Sequence, residues 1–270
     1  MKSYLEIVER TLDEVLPRTD ERPAVLSEAM RYAVGTGGKR IRPLICLASA
    51  VAVCGQAEDA SYPAAAIELL HNYTLVHDDL PAMDNDTLRR GQPTVWTKYG
   101  EANAILAGDA LLALAYQTAA RAPRNVAAIV SVLGEKGVGV VQGQVEDLLL
   151  ERGPHAARTL EQSTDSNNQA IAFVYEHKTA DLFMAAAMMG GLAGGGSPEA
   201  IAALRAFALN LGLAFQYEDD LLDGDSPYSR AETERLVHET TAAAVSALDE
   251  LPGDTAFLRD LARKLIGRTV

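Results

Sequence analysis

The chain has 270 residues, of which 24 are Lys or Arg and 37 are Asp or Glu, so its formal net charge is −13 at pH 7. Such an acidic chain is a poor nucleic-acid binder, and it has no charge-based attraction to anionic membranes. Aromatic residues make up only 6% of the chain and alanine is abundant, which favours helices over sheets. Cys46 and Cys54 fit neither a disulfide framework nor a metal-ligand spacing, so a reducing, cytoplasmic location is expected.

Almost every segment of the chain places apolar residues at the spacing of an α-helix. A first helix is predicted before Pro17, and further helices are predicted over 24–34, 43–54, 61–79, 101–121, 124–150, 168–194, 198–222, 231–250 and 254–267. No strand pattern or hairpin turn stands out. The longest uncharged apolar stretch, 182–196, is shorter than a membrane span and contains glycines. The sequence therefore predicts one all-α domain over 1–270, a bundle of about ten helices with no membrane span.

An acidic cluster with the sequence HDDLPAMD follows the predicted helix 61–79 and contains Asp78, Asp79 and Asp84. Pro81 disfavours helical backbone at the residue before it, so the helix should end near the first two aspartates and a loop can bring Asp84 back toward them. Carboxylates held together repel one another unless a hard cation lies between them. A solvated helix end is the alternative for a single acidic pair.

A second acidic cluster, FQYEDDLLD, lies far along the chain and weakens that alternative. Asp219 and Asp223 are four residues apart and therefore share a helix face, and Gln216 lies about one turn before them. Two such clusters predict facing helices that share Mg²⁺ ions. Mg²⁺ in proteins takes one or two carboxylates and completes its shell with water and substrate phosphates, so the ligand is expected to carry phosphate.

Basic residues occupy positions that suit a phosphorylated ligand. They are Lys39, Arg42, His71, Arg89 and Arg90. The first two lie in GGKRIRP, where Pro43 is expected at the first position of a helix whose N-terminus favours an anion. The two consecutive arginines follow the first acidic cluster, and guanidinium groups match phosphate oxygens. His71 lies two helical turns before Asp78 and on the same side.

With these residues in place, the sequence resembles the trans-isoprenyl diphosphate synthases, the farnesyl and geranylgeranyl diphosphate synthase group. The resemblance runs from about Gly37 to Asp223 and rests on six motifs in family order: GGKRIRP, ELLHNYTLVHDDLPAMDNDTLRRG, KYGEANAILAGDALLALAY, GQVEDL, HKTADLF and FQYEDDLLD. The spacing DDLPAMD in the first aspartate motif is similar to that of the bacterial and plastid branch. The resemblance implies an all-α isoprenoid synthase fold with helices around a central cavity.

The resemblance also implies roles for individual residues, residue by residue. The diphosphate of isopentenyl diphosphate would be held by Lys39, Arg42, His71 and Arg90. Mg²⁺ would be bridged to an allylic diphosphate by Asp78, Asp84 and Asp219, with Asp79, Asp220 and Asp223 in or near its shell. The allylic diphosphate would be contacted by Arg89 and, from the opposite wall, by Lys178. Further substrate-binding positions would be Gln144 and Asp147. The nascent carbocation would be lined by Thr179 and Gln216.

The resemblance further implies Mg²⁺-assisted departure of the allylic diphosphate, attack by the alkene of isopentenyl diphosphate, and a homodimer. The alanine-rich face within 102–114 is expected to pack against a second copy. One feature departs from the family: Gly224 to Arg230 directly precedes a predicted helix, and a lysine-bearing loop is absent. A terpene cyclase and a non-catalytic partner subunit therefore remain alternatives, although the four diphosphate-binding residues argue against the first and the intact carboxylates against the second.

Product length is predicted from two residues of the first aspartate helix. Tyr73 lies five residues before Asp78, about 7.5 Å of helix rise, and Thr74 lies four before it. A chain growing away from the metal would follow this helix, so a bulky ring here should limit its length. In the resembled family an aromatic at this position goes with the fifteen-carbon farnesyl product. The alternative products are geranylgeranyl and geranyl diphosphate. The alternative role for Tyr73 is that of an ordinary aromatic residue of the core.

Overall fold

The computed structural model describes residues 2–152, 164–224 and 226–265. These residues form twelve α-helices and almost no sheet, which confirms the predicted all-α class. The helices are α1 (Lys2–Val15), α2 (Ala24–Gly35), α3 (Ile41–Ala52), α4 (Ser61–Asp78), α5 (Val95–Tyr99), α6 (Glu101–Ala119), α7 (Val126–Arg152), α8 (Thr164–Val174), α9 (Asp181–Gly194), α10 (Pro198–Asp223), α11 (Arg230–Ala247) and α12 (Ala256–Leu265). The extent of the domain over 1–270 stays a prediction.

Helix α9 forms the centre of the bundle and contacts α3, α4, α7 and α10. It is apolar on nearly every side, as expected for a helix surrounded by others. Gly190 is needed at the crossing with α3, because a Cβ there would lie 2.0 Å from the carbonyl oxygen of Cys46. The absence of a side chain at Gly190 thus lets the backbones of α3 and α9 approach closely. A cavity described below is lined by α3 and α4 and by α7 and α9.

The predicted helix 168–194 is interrupted, which corrects the sequence-based boundary. Residues Tyr175–Ala180 form a π-helical turn between α8 and α9, which we call the π segment. Neither glycine nor proline marks this interruption in YEHKTA, and the apolar spacing continues through it. The π segment lies directly against α7, because a Cβ on Gly143 would come within 2.4 Å of the backbone nitrogen of Lys178. Such turns frequently occur at functional sites.

A short hairpin was not expected from the sequence. Strand β1 (Leu88–Arg89) pairs antiparallel with β2 (Gln92–Pro93), with Arg89 opposite Gln92. The two residues between the strands, Arg90 and Gly91, both have positive φ, 53° and 76°, as a two-residue hairpin turn of this hand requires. Two-residue strands leave no alternating pattern to detect, and arginine is an unusual residue at positive φ.

The start of α3 differs from the prediction, and the end of α10 shows how short the connection to α11 is. Helix α3 begins at Ile41, so Pro43 lies at its third position, still within the first turn where no helical N–H bond is lost. Helix α10 ends at Asp223 and is capped by Gly224, whose φ is 76°. Ser229 caps α11 by accepting a hydrogen bond from the backbone N–H of Glu232. The connection is therefore short, and Asp225 within it lies outside the described residues.

By length and hydropathy alone, two described helices could cross a membrane: 126–150 within α7, and α10. A core helix of a globular bundle meets the same criterion. Helix α10 carries the second acidic cluster and packs against α9 and α11, which fits a place in the bundle. The absence of a membrane span stays a prediction.

Candidate active site

Two adjoining cavities lie between the helices that carry the motifs. The larger one, about 500 Å³, is bounded by α4, the loop after it, α7, the π segment and α9. The smaller one, about 470 Å³, is bounded by the loop before α3, by α3 and α4, and by Arg90 of the hairpin turn and Phe215 of α10. Arg42 and His71 line both cavities and therefore form the boundary between them.

The first aspartate motif folds as Pro81 predicts. Helix α4 ends at Asp78, and the loop returns so that the backbone N–H of Asp84 donates a 2.9 Å hydrogen bond to the carbonyl oxygen of Asp78. The carboxyl group of Asp78 lines the larger cavity. Burial, and to a smaller extent the nearby Asp84 carboxylate, raises the pKa of Asp78 to about 6, although Lys178 acts in the opposite direction. A cation bound here would offset both the burial of the Asp78 carboxylate and its repulsion by Asp84.

Asp79, the neighbour of Asp78, faces a different way. Its side chain is 4% exposed, and Arg89 donates to its Oδ1 from Nε at 2.7 Å, with a second guanidinium nitrogen 2.6 Å away. The hairpin brings Arg89 to this position. Adjacent residues on a helix point about 100° apart, so only one of the pair lines the larger cavity among the described residues. This geometry supports Asp79 as the partner that orients Arg89, rather than as a member of the metal shell.

Replacing Asp79 with asparagine should therefore act on stability more than on metal binding. The variant removes the carboxylate nearest to the Arg89 guanidinium, which is 30% exposed and also lies 3.9 Å from Asp86, so we expect a loss of about 1–3 kcal/mol. We expect a lower midpoint of thermal unfolding and an unchanged dependence of turnover on Mg²⁺ concentration. A variant that keeps wild-type thermal stability but needs far more Mg²⁺ would place Asp79 in the metal shell instead.

The smaller cavity is lined by the residues that were predicted to bind the diphosphate of isopentenyl diphosphate. Lys39, Arg42, His71 and Arg90 all line it. Burial lowers the pKa of Arg42 to about 10, and it lowers the pKa of Arg90 as well; neighbouring arginines lower both further. Gly38 makes room for Arg90, since a Cβ there would lie 2.7 Å from its guanidinium, and Arg90 donates to the carbonyl oxygen of Gly37. Glu68, which also lines the cavity, acts in the opposite direction on both arginines. Cations gathered in this way favour an anion between them.

His71 is held as a neutral imidazole with a defined proton position. Burial, and then the positive charge of Arg42, lowers its pKa well below the ordinary value of 6.5. Arg42 lies 3.3 Å from His71 Nε2 and can only donate, so Nε2 accepts and the proton is on Nδ1. Among the described residues, buried His71 Nδ1 and Arg42 Nε have no hydrogen-bond partner. Two buried donors at the shared boundary of the cavities are thus available to a ligand.

Lys178 reaches the larger cavity from the π segment and pairs with the carboxylate of Asp147 on α7. This places it across the cavity from Asp78, as predicted. Asp147 therefore holds Lys178 in the ligand-free protein, and it does not line either cavity among the described residues. Gln144, one turn earlier on α7, does line the larger cavity, and its buried Nε2 has no partner there.

The second aspartate motif is connected to the cavity through hydrogen bonds. Thr179 lines the larger cavity and donates to Gln216 Oε1 at 2.8 Å, and Gln216 Nε2 donates to Asp220 Oδ1 at 2.7 Å. Gln216 was predicted to line the carbocation, but it lies behind Thr179. Asp219 is half-buried and Asp223 exposed, both in the last turn of α10. The second acidic cluster thus belongs to a helix that packs against the π segment, and Thr179 of that segment lines the larger cavity together with Asp78.

The donor set fits Mg²⁺ bound together with a diphosphate. Among the described residues no three His, Cys, Asp or Glu side chains form a closed metal site. Mg²⁺ binds proteins in this open manner, through one or two carboxylates with water and phosphate oxygens completing the octahedron. Asp78, with its raised pKa and its neighbour Asp84, is the carboxylate that a cation would most stabilise. The resemblance assigns the ion to Asp78, Asp84 and Asp219, of which Asp78 lines the larger cavity in the part of the chain that the structure describes.

Tyr73 and Thr74 both line the larger cavity, as the chain-length prediction requires. The Tyr73 ring packs edge-on against His77, with ring centroids 5.0 Å apart. Sequence analysis did not anticipate the apolar wall that faces them, Val140, Val141, Val145 and Leu148 of α7. It also missed Tyr175, which donates to Asp220. The sequence did carry a signal for Tyr175. Tyr175 and Thr179 are four residues apart, as are Gln216 and Asp220, so each pair shares one face of its helix.

Comparison with known proteins places this site in a family. The model of the polyprenyl synthetase family matches residues 23–235, most of the chain. The chain belongs to the polyprenyl synthetase family. Geranylgeranyl diphosphate synthase of Cyanophora paradoxa is 42% identical over 225 residues, which are 81% of this chain and 71% of that protein. Geranylgeranyl pyrophosphate synthase 4 of Arabidopsis thaliana is 41% identical over 230 residues, 83% of this chain and 59% of that protein.

The fold comparison agrees. An FPP/GFPP synthase from Zymomonas mobilis has a similar structure, with a TM-score of 0.87 and 31% sequence identity over 98% of both chains. The resemblance drawn from the motifs is confirmed, and so is the isoprenoid synthase fold of a polyprenyl synthetase. The expectation of a prenyltransferase is confirmed at the level of the family. The chain spans less than two thirds of the length of the Arabidopsis relative, so substrates and product of the whole protein are proposed below.

Proposed function

We propose that this polyprenyl synthetase condenses an allylic diphosphate with isopentenyl diphosphate, head to tail, in a Mg²⁺-dependent reaction. The observation that carries the proposal is the pair of adjoining cavities. Positive side chains predominate in the lining of the smaller cavity, and the larger one combines the Asp78 carboxylate with apolar walls. The first suits a compact diphosphate substrate, and the second suits a diphosphate with a prenyl tail.

Each residue has a role that follows from its position. Bound Mg²⁺ would supply Lewis-acid neutralisation of the leaving diphosphate. Lys178, which lines the larger cavity, adds positive charge to that leaving group. Arg89 is held by Asp79 outside the lining of that cavity and adds its charge from there. His71 and Arg42, on the boundary of the cavities, hold the diphosphate of isopentenyl diphosphate so that its alkene faces the allylic carbon. The apolar wall of α7 excludes water from the carbocation.

A terpene cyclase on the same fold ionises one diphosphate and has no use for a second diphosphate site. The three cations Lys39, Arg42 and Arg90 of the smaller cavity, together with neutral His71, therefore favour condensation over cyclisation. The short connection between α10 and α11 removes one source of lysines near the allylic site, so turnover is expected to be slower than in relatives that carry the loop. Retention of the described carboxylates argues against a purely non-catalytic subunit.

The test incubates the purified chain with labelled isopentenyl diphosphate and, in separate reactions, dimethylallyl, geranyl or farnesyl diphosphate. Condensation gives longer labelled prenyl diphosphates with Mg²⁺ and none in excess chelator. Release of a hydrocarbon or alcohol from an allylic diphosphate alone, with no labelled product, would support the cyclase. Undiminished condensation in chelator would contradict the role of Mg²⁺.

His71→Leu should separate the two substrate sites. The substitution removes a buried donor that would bind a charged phosphate oxygen, a hydrogen bond of about 1.5–3 kcal/mol, which is about 10- to 100-fold in affinity. We expect the KM for isopentenyl diphosphate to rise by that factor while the KM for the allylic diphosphate changes little. Initial-rate measurements with each substrate varied in turn provide the comparison. Equal changes in both constants would contradict the assignment of His71 to the smaller cavity.

For the product we propose geranylgeranyl diphosphate, the name carried by both curated relatives. The names of these relatives favour the geranylgeranyl product, given above as an alternative, over the farnesyl product predicted from Tyr73. Farnesyl diphosphate is the second candidate because Tyr73 does line the larger cavity. Chain-length analysis of the wild-type product decides between twenty and fifteen carbons.

A homodimer and a cytoplasmic location complete the proposal. Helix α6 exposes Ile105 and Leu106, with relative accessibilities of 45% and 56%, in the alanine-rich segment predicted to face a second copy. Isologous dimers are the commonest oligomers, and burying such side chains would stabilise one. Light scattering at micromolar concentration should give the mass of two chains, and a monomeric mass would contradict the dimer.

A further inference from the structure

Three hydrogen bonds connect the π segment and α10 in one continuous line, two of them crossing between the segments and one running along α10. Thr179 O–H donates to Gln216 Oε1 at 2.8 Å, Gln216 Nε2 donates to Asp220 Oδ1 at 2.7 Å, and Tyr175 O–H donates to Asp220 Oδ2. Each helix contributes two residues four apart, so both pairs lie on facing surfaces. Both oxygens of the Asp220 carboxylate are engaged, each by a different donor. We call this line the Tyr175–Thr179 chain.

The direction of the bonds in the Tyr175–Thr179 chain follows from the amide of Gln216. Its NH₂ group faces Asp220 and donates to Oδ1. The amide oxygen then faces Thr179, and the threonine hydroxyl must donate to it. With its proton committed to Gln216, the Thr179 hydroxyl presents only oxygen lone pairs in its remaining directions. Since Thr179 lines the larger cavity, an electron-rich oxygen is available to a positive charge that develops there.

Tyr175 is well placed to fix the far end of this chain. It is buried, with 7% of its surface exposed, and its ring packs edge-on against Tyr217 with centroids 5.4 Å apart. Its hydroxyl donates to Asp220 Oδ2. Without this donor Asp220 Oδ2 would lose a hydrogen bond that helps to fix the carboxylate plane. Rotation of the carboxylate would then loosen Gln216 and Thr179 in turn.

We propose that Tyr175 is a positioning residue that, through Asp220 and Gln216, directs the oxygen lone pairs of Thr179 at the carbocation. The inference rests on the proposed condensation. It adds the hydrogen bonds that determine which way the Thr179 hydroxyl points in the wall of the larger cavity. It assigns Asp220 to this chain of hydrogen bonds. Tyr175 itself touches no substrate, since Asp220 and Gln216 lie between it and Thr179.

The first test compares two tyrosines in contact with each other. Tyr175→Phe removes one hydroxyl and keeps the ring packing, whereas Tyr217→Phe alters the neighbouring tyrosine outside the chain of hydrogen bonds. We expect Tyr175→Phe to lower kcat about tenfold, the order of one hydrogen bond, with both KM values within about twofold of wild type. Tyr217→Phe should leave kcat and KM unchanged. Equal loss in the two variants would overturn the proposal.

A double-mutant cycle shows whether Tyr175 acts through Thr179. Thr179→Val keeps the shape of the side chain and removes the hydroxyl. If Tyr175 serves only to orient that hydroxyl, adding Tyr175→Phe to Thr179→Val should change kcat by less than about twofold, because coupled residues are non-additive. Two full, multiplicative losses would show that Tyr175 has a separate, structural effect, and this would contradict the proposal even if condensation is confirmed.

A readout independent of turnover separates this inference from the proposed function. In ¹⁵N-labelled protein the side-chain amide of Gln216, assigned by its loss in Gln216→Glu, should shift and exchange faster with solvent in Tyr175→Phe. The same signal should be unaffected in Tyr217→Phe. If wild type does not condense the two diphosphates but the amide signal responds as expected, the Tyr175–Thr179 chain stands and only its chemical use is wrong. An unresponsive amide signal overturns the chain itself.

Discussion

Asp78→Asn is expected to lower turnover by about 10²-fold or more and, without Mg²⁺, to make the protein more stable at neutral pH. The loss of turnover follows because an amide oxygen is a far weaker Mg²⁺ ligand than a carboxylate, so charge on the leaving diphosphate goes uncompensated. The gain in stability follows because the wild-type carboxylate is buried near Asp84 without its cation. The two effects together distinguish a binding carboxylate from a structural one.

The sign of the stability effect follows from the pKa. In the folded chain the pKa of Asp78 is raised from 3.8 to about 6, so the folded form holds the proton more tightly. The stability contributed by this proton is full below pH 3.8 and is lost as the pH rises through about 6. Above that pH the ionised carboxylate costs up to about 3 kcal/mol, which the asparagine variant avoids. The difference in unfolding free energy between variant and wild type should therefore grow between pH 4 and pH 7.

Thermal unfolding with and without Mg²⁺ and inorganic diphosphate tests both parts. Wild type should gain stability from the combination, and Asp78→Asn should gain little. Asp109→Asn is the matched control, because Asp109 is exposed on α6 and lies outside both cavities among the described residues. A variant that is less stable than wild type at pH 7.5 without metal, and responds to Mg²⁺ and diphosphate as wild type does, would show that Asp78 is a structural residue.

The position of Asp78 and Asp84 could be predicted from sequence because Pro81 fixes where the helix must end. The different directions of Asp78 and Asp79 could not. Both are aspartates at a helix end, and only the hairpin that brings Arg89 to Asp79 distinguishes them. That hairpin depends on positive φ at Arg90, which an arginine in the sequence does not signal. Local patterns therefore predicted the helix and its end, while partner choice depended on tertiary contacts.

A similar limit applies to the π segment. The apolar spacing continues from α8 into α9, so the sequence predicts one helix. The extra residue per turn arises where Gly143 lets α7 approach the backbone of Lys178, a contact between segments far apart in the chain. The consequence for the site is large, because the wider turn presents both Lys178 and Thr179 to the larger cavity. Motifs predicted which residues matter there, and packing determined how they are presented.

Tyr73→Ala is expected to lengthen the product by at least one five-carbon unit. Tyr73 lines the larger cavity about 7.5 Å of helix rise from Asp78, on the path of a chain that grows away from the diphosphate. Its ring is supported by His77, which contacts the carbonyl oxygen of Ile105 at 3.1 Å and packs against Gly108. With this support rigid, removing the ring should leave space instead of a collapsed wall.

Two variants test the direction of the effect. Tyr73→Phe keeps the ring and should leave product length unchanged, whereas Thr74→Leu adds bulk to the same cavity and should shorten the product or stop elongation early. Products from dimethylallyl and isopentenyl diphosphates are resolved by carbon number for each variant and for wild type. If wild type stops at fifteen carbons and Tyr73→Ala at twenty, the ring limits growth and the farnesyl prediction holds. If wild type already reaches twenty carbons and Tyr73→Ala changes nothing, Tyr73 is a wall residue and the limit lies deeper, among the α7 side chains that face it.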